Sequence, residues 1–525
     1  MTTIDREAGR RSSFDLAAFC IILIAAAFRL YRINIPLVDA HSWRQVTNAD
    51  IARHFSEGIM NPFVPRVSWG GVNGVVGMEF PLLQYLTASI WLVTGESEFV
   101  ARLVAAAFSV GAVIATYFLG TRLLGRPAGR AAAFLMAVSP STVYFGRSFI
   151  SDTPMLMFSI AAVLAWDRYF DRPTTVRAVI AALVTALAAL VKLPAILVLG
   201  GIGGLALSRL GWAALRDKRL WAGTVAALGI IGAWYWYADR IYLETGLTQA
   251  VFRPSGTYPT DLAGEVFYRS VSHWATSELL FSREFWVGMT MRFWELHLTP
   301  FGFIGAIVGT VVAWRNRRLT PLALWTAAGF ALVVVAAQGQ WYHEFHQLPV
   351  LPPLALLFGA AAAPLFDAAF LRRFAPLPLA ILVVGAGWGA ASFAAFGGSG
   401  VIRQLYRPDN LAEKFIAYGS FIQSFAAPDA LLITVDYEAA GVNSPMLLYY
   451  ARRQGWSFDM FSISPRVIER LRTKQGVRYF VSSMGPEQMS ARDDLKLYLD
   501  GFEHVASPPG MWRLLVVDLG KLRTR

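Results

Sequence analysis

The sequence predicts a polytopic α-helical membrane protein with a small extracytoplasmic α/β domain at its C-terminus. Three observations predict it. Of 525 residues, 55% are hydrophobic and only 16% charged, a balance found in integral membrane proteins rather than soluble enzymes. The apolar residues gather in repeated runs, each long enough to cross a hydrocarbon layer of roughly 30 Å as a helix. After Gly397-Gly398-Ser399-Gly400 the composition changes, and short strand-like and helix-like segments alternate.

Run length places about eleven spans, near 14–35, 98–119, 128–146, 154–170, 176–191, 194–209, 220–238, 298–314, 320–337, 350–367 and 376–396. Arg6, Arg10 and Arg11 precede the first. Arg122, Arg126 and Arg130 separate the second and third, and Arg168, Arg172 and Arg177 follow the fourth. Arg209, Arg216, Lys218 and Arg219 follow the sixth, Arg315, Arg317 and Arg318 the eighth, and Arg372 and Arg373 the tenth. All these loops fall on the N-terminal side, which the positive-inside rule makes cytoplasmic. An odd number of spans then puts the C-terminus outside. The net charge of +12 belongs to these loops and does not point to nucleic acid. Cys20 lies inside the first run and permits no intrachain disulfide. That run is long, lacks a small-residue cleavage pattern and leads straight into a polar cluster, so it reads as a retained span rather than a cleaved signal peptide.

Residues 1–399 therefore read as a membrane catalytic domain with outer-face loops 36–97 and 239–297, and 400–525 as a soluble outer domain. In the first loop, Trp43–Phe55 has Trp43, Val46, Ile51 and Phe55 spaced to lie on a membrane. Trp69–Gly74 reads as a flexible, turn-rich stretch. Pro81–Val93 is apolar but short for a span and reads as an interfacial or re-entrant helix. The second loop carries Arg253, Arg269, Glu278 and Arg283. In the tail, Ala430–Val435, Arg478–Ser482 and Trp512–Val517 are strand-like, and Ser444–Arg453, Pro465–Lys474 and Glu487–Leu499 helix-like.

The candidate chemistry gathers at the outer boundary. Asp39, with His41, Trp43 and Arg44, starts where the first span ends. An ionisable cluster bordering the bilayer suggests function, here a general base acting on an acceptor hydroxyl. The plainer reading is a loop acid capping the next helix. Asp152, before Thr153-Pro154, fits a helix cap as well as a reactive carboxylate. Arg147 suits a phosphate, whose oxygens match guanidinium donors, or a snorkelling boundary residue. Lys192, in an apolar run, is costly without purpose and fits an anionic head group or snorkelling. His343, Glu344 and His346 precede the tenth span. They lack the HExxH pattern of a zinc site and read as a polar rim for sugar or phosphate. No Walker loop and no dinucleotide fingerprint is present, so a soluble nucleotide donor is disfavoured. No cofactor is expected and a metal is not indicated.

Together these residues resemble the GT-C membrane glycosyltransferases of the protein O-mannosyltransferase and lipid A aminoarabinose-transferase type, in their bacterial branch. The resemblance rests on Asp39–Gln45 with Ala49–Arg53, on Glu79–Leu86, on Arg147 with Asp152, on His343–Pro352, and in the tail on Ser444–Trp456. It implies a sugar taken from a polyprenyl-phosphate carrier on the outer face of the cytoplasmic (inner) membrane and passed to a lipid, glycan or protein acceptor. It implies Asp39 as the catalytic carboxylate and a second acidic position at Asp152. Ala40 follows Asp39 where an Asp-Glu pair is common, so no adjacent second carboxylate is available. Arg147, Lys192 and His343 are assigned to the donor phosphate, and His41, Trp43, Arg44, Glu79 and His346 to substrate. One carboxylate suffices for inversion by direct displacement, with cations taking up the phosphate charge. The rival reading is a transporter or flippase of lipid-linked sugars. It expects midplane ionisable residues in repeated halves, and the sequence has neither. An inactive scaffold with a sugar-binding outer domain is the third reading.

Overall fold

The computed structural model describes residues 15–249, 262, 273–316, 318–367, 410–436, 444–489, 491–511 and 513–523. The expected span 376–396, the arginines before the first span, and Arg253 and Arg269 lie outside the described residues. The other expected spans are all helical: Leu16–Leu30, Glu98–Leu124, Arg126–Val138 followed by Pro140–Arg147, Asp152–Asp171, Thr175–Val191, Val198–Leu210, Lys218–Thr245, Thr299–Arg315, Leu319–Val335 and Leu351–Ala362. Among the described residues, Glu98–Leu124, Leu193–Arg216 and Glu344–Phe366 are each long and apolar enough to cross a membrane, and counting two bent helix pairs as one span each raises the three to five.

The segment 128–146, expected as one span, is two helices. Ser139 is extended before Pro140, as the residue before a proline prefers. Pro140 has no N–H for the Met136 carbonyl. That oxygen instead accepts from Arg29 Nη2 at 3.0 Å and Thr142 Oγ1 at 2.7 Å. Pro140–Arg147 then meets Asp152–Asp171 at a bend of 117°, and the bend delivers Asp152 to the start of the second arm.

The chain forms two compact units. The first holds residues 1–34, 101–233 and 272–406. Its helices meet through small residues: a Cβ on Gly309 would lie 1.8 Å from the Leu357 carbonyl oxygen, and one on Gly204 2.6 Å from Pro321 Cα. Such contacts are how helices associate where burying apolar surface gives no driving force.

The second unit holds 35–100, 234–271 and 407–525, so the first outer segment and the start of the second group with the tail, while 273–297 belongs to the first unit. Its sheet runs β2-β1-β3-β5-β4, with β1 Leu432–Val435, β2 Gly455–Phe458, β3 Tyr479–Ser482, β4 Phe502–Val505 and β5 Leu515–Leu522. β1 is parallel to β2 and β3, while β5 is antiparallel to β3 and β4. The helix Pro465–Gln475 starts with Ser464 accepting from the Val467 N–H, ends at left-handed Gly476, and buries Val467, Ile468 and Leu471 in the core beneath it.

Two expectations for the first outer loop are corrected. The helix Ser42–Glu57 is not a membrane-lying amphipath. Gln45, Thr47, Asn48 and Asp50 are as buried as Val46, Ile51 and Phe55, because its polar residues find partners inside the unit. Trp69–Gly74 is turn-rich, as expected, but it is fixed rather than flexible. Val67 N–H donates to Gly74 O at 2.9 Å, closing a tight turn. Its backbone pairs with the outer edge of β2: Gly455 N–H donates to Ser68 O at 2.9 Å and Gly71 N–H to Gly455 O at 2.7 Å. Gly71 has φ +77°, and a Cβ there would sit 2.8 Å from the Trp456 indole. Glycine is needed for both reasons.

Candidate active site

In the first unit, Asp152 opens its helix without capping it. Ser151 is the N-cap and makes no side-chain capping bond. The Asp152 carboxylate is buried, and its Oδ2 accepts from Lys192 Nζ at 2.6 Å. Lys192 stands at the break between Thr175–Val191 and the turn Leu193–Leu197. Its ammonium lies 4.8 Å from the Phe345 ring centre. Phe345 stacks on His343 at 5.1 Å and meets His346 edge-on at 4.7 Å. Residues distant in sequence, Asp152, Lys192, His343 and His346, thus share one side-chain cluster. His346 Nδ1 lies 3.0 Å from the Gly339 carbonyl, and Glu344 lies 4.0 Å from Arg292. Arg147 is fully buried. It donates to the Arg32 carbonyl at 3.1 Å and lies 5.3 Å from the Tyr144 ring centre, so it does not snorkel. Among the described residues no three His, Cys, Asp or Glu side chains gather as a metal-holding group.

In the second unit, Asp39 is 1% exposed. Its Oδ1 accepts from Gln45 Nε2 at 2.8 Å, and Gln45 also donates to the Ala40 carbonyl at 3.0 Å. The N-cap position of the following helix belongs to His41, at φ 59°, with no side-chain capping bond. Asp39 is therefore held by the helix's first turn rather than capping it. Arg44 lies 4.7 Å from the Trp43 ring centre and donates to Gln249 Oε1 at 3.1 Å. Glu79 is half-buried beside Phe80, whose ring meets Trp234 edge-on at 5.0 Å.

A second buried cluster in this unit has no role assigned from the sequence. Arg53 sits 3.8 Å from the Tyr449 ring centre and donates to the Tyr449 carbonyl at 2.7 Å. Its Nη2 and Nε both reach Glu96, at 2.6 and 3.1 Å. Tyr449 Oη adds a bond to Glu96 at 3.2 Å, and Arg452 another at 2.7 Å. Burial pushes the Glu96 carboxyl up, but the two guanidinium groups outweigh it and hold the carboxyl below its ordinary value. Asp50 accepts from the Ser68 hydroxyl and N–H at 2.6 and 2.7 Å. Arg53 and Tyr449 both lie in stretches that carry the family resemblance, but nothing in either stretch indicates that they touch.

Residues 79–236 match the model of the family described as dolichyl-phosphate-mannose-protein mannosyltransferase. No curated protein matches the chain in sequence. Among solved structures, the chain is similar to ArnT from Cupriavidus metallidurans in the apo state, with TM-score 0.64 and 14% identity over 95% of this chain and 97% of that one. The same protein bound to undecaprenyl phosphate gives 0.61 and 15%, with the same coverage. The Archaeoglobus fulgidus oligosaccharyltransferase in complex with Zn and sulfate gives 0.54 and 14%, over 94% of this chain and 72% of that one. At these identities the likeness is one of fold. The resemblance to GT-C membrane glycosyltransferases holds, and the fold is GT-C.

Proposed function

We propose that this GT-C-fold membrane protein is a glycosyltransferase that moves a sugar from a polyprenyl-phosphate carrier to a hydroxyl of an envelope acceptor, with inversion, at the outer face of the bacterial cytoplasmic membrane. The observation that carries the reading is Asp39. It is a carboxylate just past the first apolar helix, buried and oriented by Gln45 instead of being used as a helix cap. Support also comes from the family match over 79–236 and from a fold shared with a protein crystallised with undecaprenyl phosphate.

In this reading Asp39 takes the proton from the acceptor hydroxyl as its oxygen attacks the anomeric carbon. The bond from that carbon to the phosphate oxygen breaks on the opposite face, and the electron pair leaves with the phosphate. Lys192, with Arg147 and His343, stabilises that charge, and Asp152 fixes the Lys192 ammonium. His41, Trp43, Arg44, Glu79 and His346 contact substrate. The direct experiment is incubation of purified protein with radiolabelled polyprenyl-phosphate sugars and envelope extract. Transfer of label to a lipid, glycan or protein fraction is expected, and movement of intact donor between leaflets without transfer would favour the flippase reading.

Lys192 separates a phosphate site from a structural ion pair. Lys192→Ala is expected to raise the donor KM roughly 10–100-fold, the equivalent of about 1.5–3 kcal/mol for a charge-assisted bond. It also leaves Asp152 buried without its cation, so the double variant Asp152→Asn/Lys192→Met is the decisive comparison. Donor kinetics that stay defective in the double variant support phosphate binding, and recovery to near wild type would leave the pair structural.

The orientation follows from the basic loops, with about eleven spans and the tail outside. A reporter active only in the cytoplasm, fused after Arg525, is expected to stay silent. Strong activity would overturn the span count and the outer placement together.

A further inference from the structure

Within the second unit lies a cavity of about 670 Å³ that neither the transfer chemistry nor the fold accounts for. Its size falls in the range of small-molecule sites, about 300–1,000 Å³. The first outer segment contributes Arg53, Glu57 and Arg66 to its wall, and the tail contributes Asp429, Arg452 and Arg453. Four guanidinium groups against two carboxylates leave the lining cationic.

Two of the four are committed. Arg53 and Arg452 are engaged with Glu96, Glu57 and the Tyr449 carbonyl. Arg453 is committed in part, and Arg66 is not. Arg453 is 7% exposed, and its Nη atoms donate to the carbonyls of Ala426, Ala451 and Arg452. Its Nε, buried, has no hydrogen-bond partner. A buried donor without an acceptor costs about 1–3 kcal/mol. Arg66 is exposed, and its side chain makes no hydrogen bond or ion pair among the described residues. Phe55, Val64 and Leu431 supply apolar wall, suited to the C–H face of a sugar ring.

We infer that this cavity binds an anionic saccharide, its phosphate or carboxylate taken by Arg66 and Arg453 and its ring set against the apolar wall. Guanidinium forks match both anions. The inference holds whether or not the protein transfers sugar.

The test uses the full chain in phosphatidylcholine nanodiscs, titrated calorimetrically with glucose 1-phosphate, glucuronate and uncharged glucose. Binding of at least one anionic sugar, weakening with salt, and at least tenfold tighter than glucose is expected. Arg66→Ala, which loses no intramolecular bond, should weaken it about tenfold with an unchanged melting temperature, and Arg453→Gln should weaken it further. Repeating the titration with phosphatidylglycerol in the discs separates the sources: a site filled by a lipid head group loses the soluble sugar, and a site for soluble or glycan-borne anions does not. Wild-type binding of neither anionic sugar, or binding indifferent to both substitutions, would overturn the inference.

Discussion

Asp39→Asn is expected to lower the turnover of sugar transfer by about 10²–10⁴-fold, the range for loss of a general base, while donor binding survives. The substitution keeps the shape of the side chain and leaves an oxygen for Gln45 Nε2, now 2.8 Å from Asp39 Oδ1. What it removes is the ability to accept a proton from the acceptor hydroxyl. The cations assigned to the phosphate are untouched, so the donor KM should move little and the loss should fall on kcat. Single-turnover transfer with radiolabelled donor reads the chemical step directly. Near-normal transfer by a folded Asp39→Asn protein would sink the mechanism, and loss of donor binding with loss of turnover would turn Asp39 into a binding residue.

The second large effect is on stability. Arg53→Ala is expected to cost on the order of 2–3 kcal/mol, since it takes from the largely buried Glu96 its bidentate cation and leaves it only Arg452 and the Tyr449 hydroxyl. The side chains of Arg53 and Glu96 are 8% and 20% exposed, and the same guanidinium supplies the contact with Tyr449. The comparison is Arg472→Ala, whose pair with Glu469 lies on the surface with exposures of 34% and 43% and is worth about 0–1 kcal/mol. Scanning fluorimetry of the purified full chain should show a clear drop in melting temperature for the first and almost none for the second. Equal melting of the two variants would remove the cluster from the stability account. The pH dependence follows the same charges. The folded Glu96 carboxyl is held below its ordinary value of 4.5, so its contribution is complete above that value and is lost as the pH falls through the depressed one. Acid should therefore destabilise the wild type more than Arg53→Ala.

How much of this was legible depends on distance along the chain. The helices of the described apolar runs were readable because such a run announces itself locally, and the break at Ser139-Pro140 is local too, though the apolar run passes over it. In the tail, β1 and β3 stand where Ala430–Val435 and Arg478–Ser482 suggest, and β5 lies a few residues beyond the start of Trp512–Val517. β2, only Gly455-Trp456-Ser457-Phe458, is too short to show alternation and abuts a helical stretch. β4, with Glu503 and His504 inside it, reads as polar because it is an edge strand. Asp39 and Lys192 stood out because charge beside apolar sequence is conspicuous. Their partners did not: Asp152 and Lys192 are 40 residues apart and Arg53 and Tyr449 396 apart, and no periodic pattern spans such intervals. Glu96 was missed altogether, since an acid in a loop carries no signal until its arginines are in place.

The turn Ser68–Gly71 covers the open edge of β2, and this sets an order on biosynthesis. The turn is made early and the strand it pairs with is made late. At about 5–20 residues per second, roughly 20–80 s separate them on the ribosome. Through that interval Trp69 and the backbone groups of the turn wait in the aqueous compartment, and a nascent chain cut short before Phe458 never satisfies them. Chains stalled in the later helices should thus be marked for proteolysis in this loop, far upstream of the fault. A tail expressed alone would face the converse problem, with an uncovered β2 edge open to pairing with its own copies.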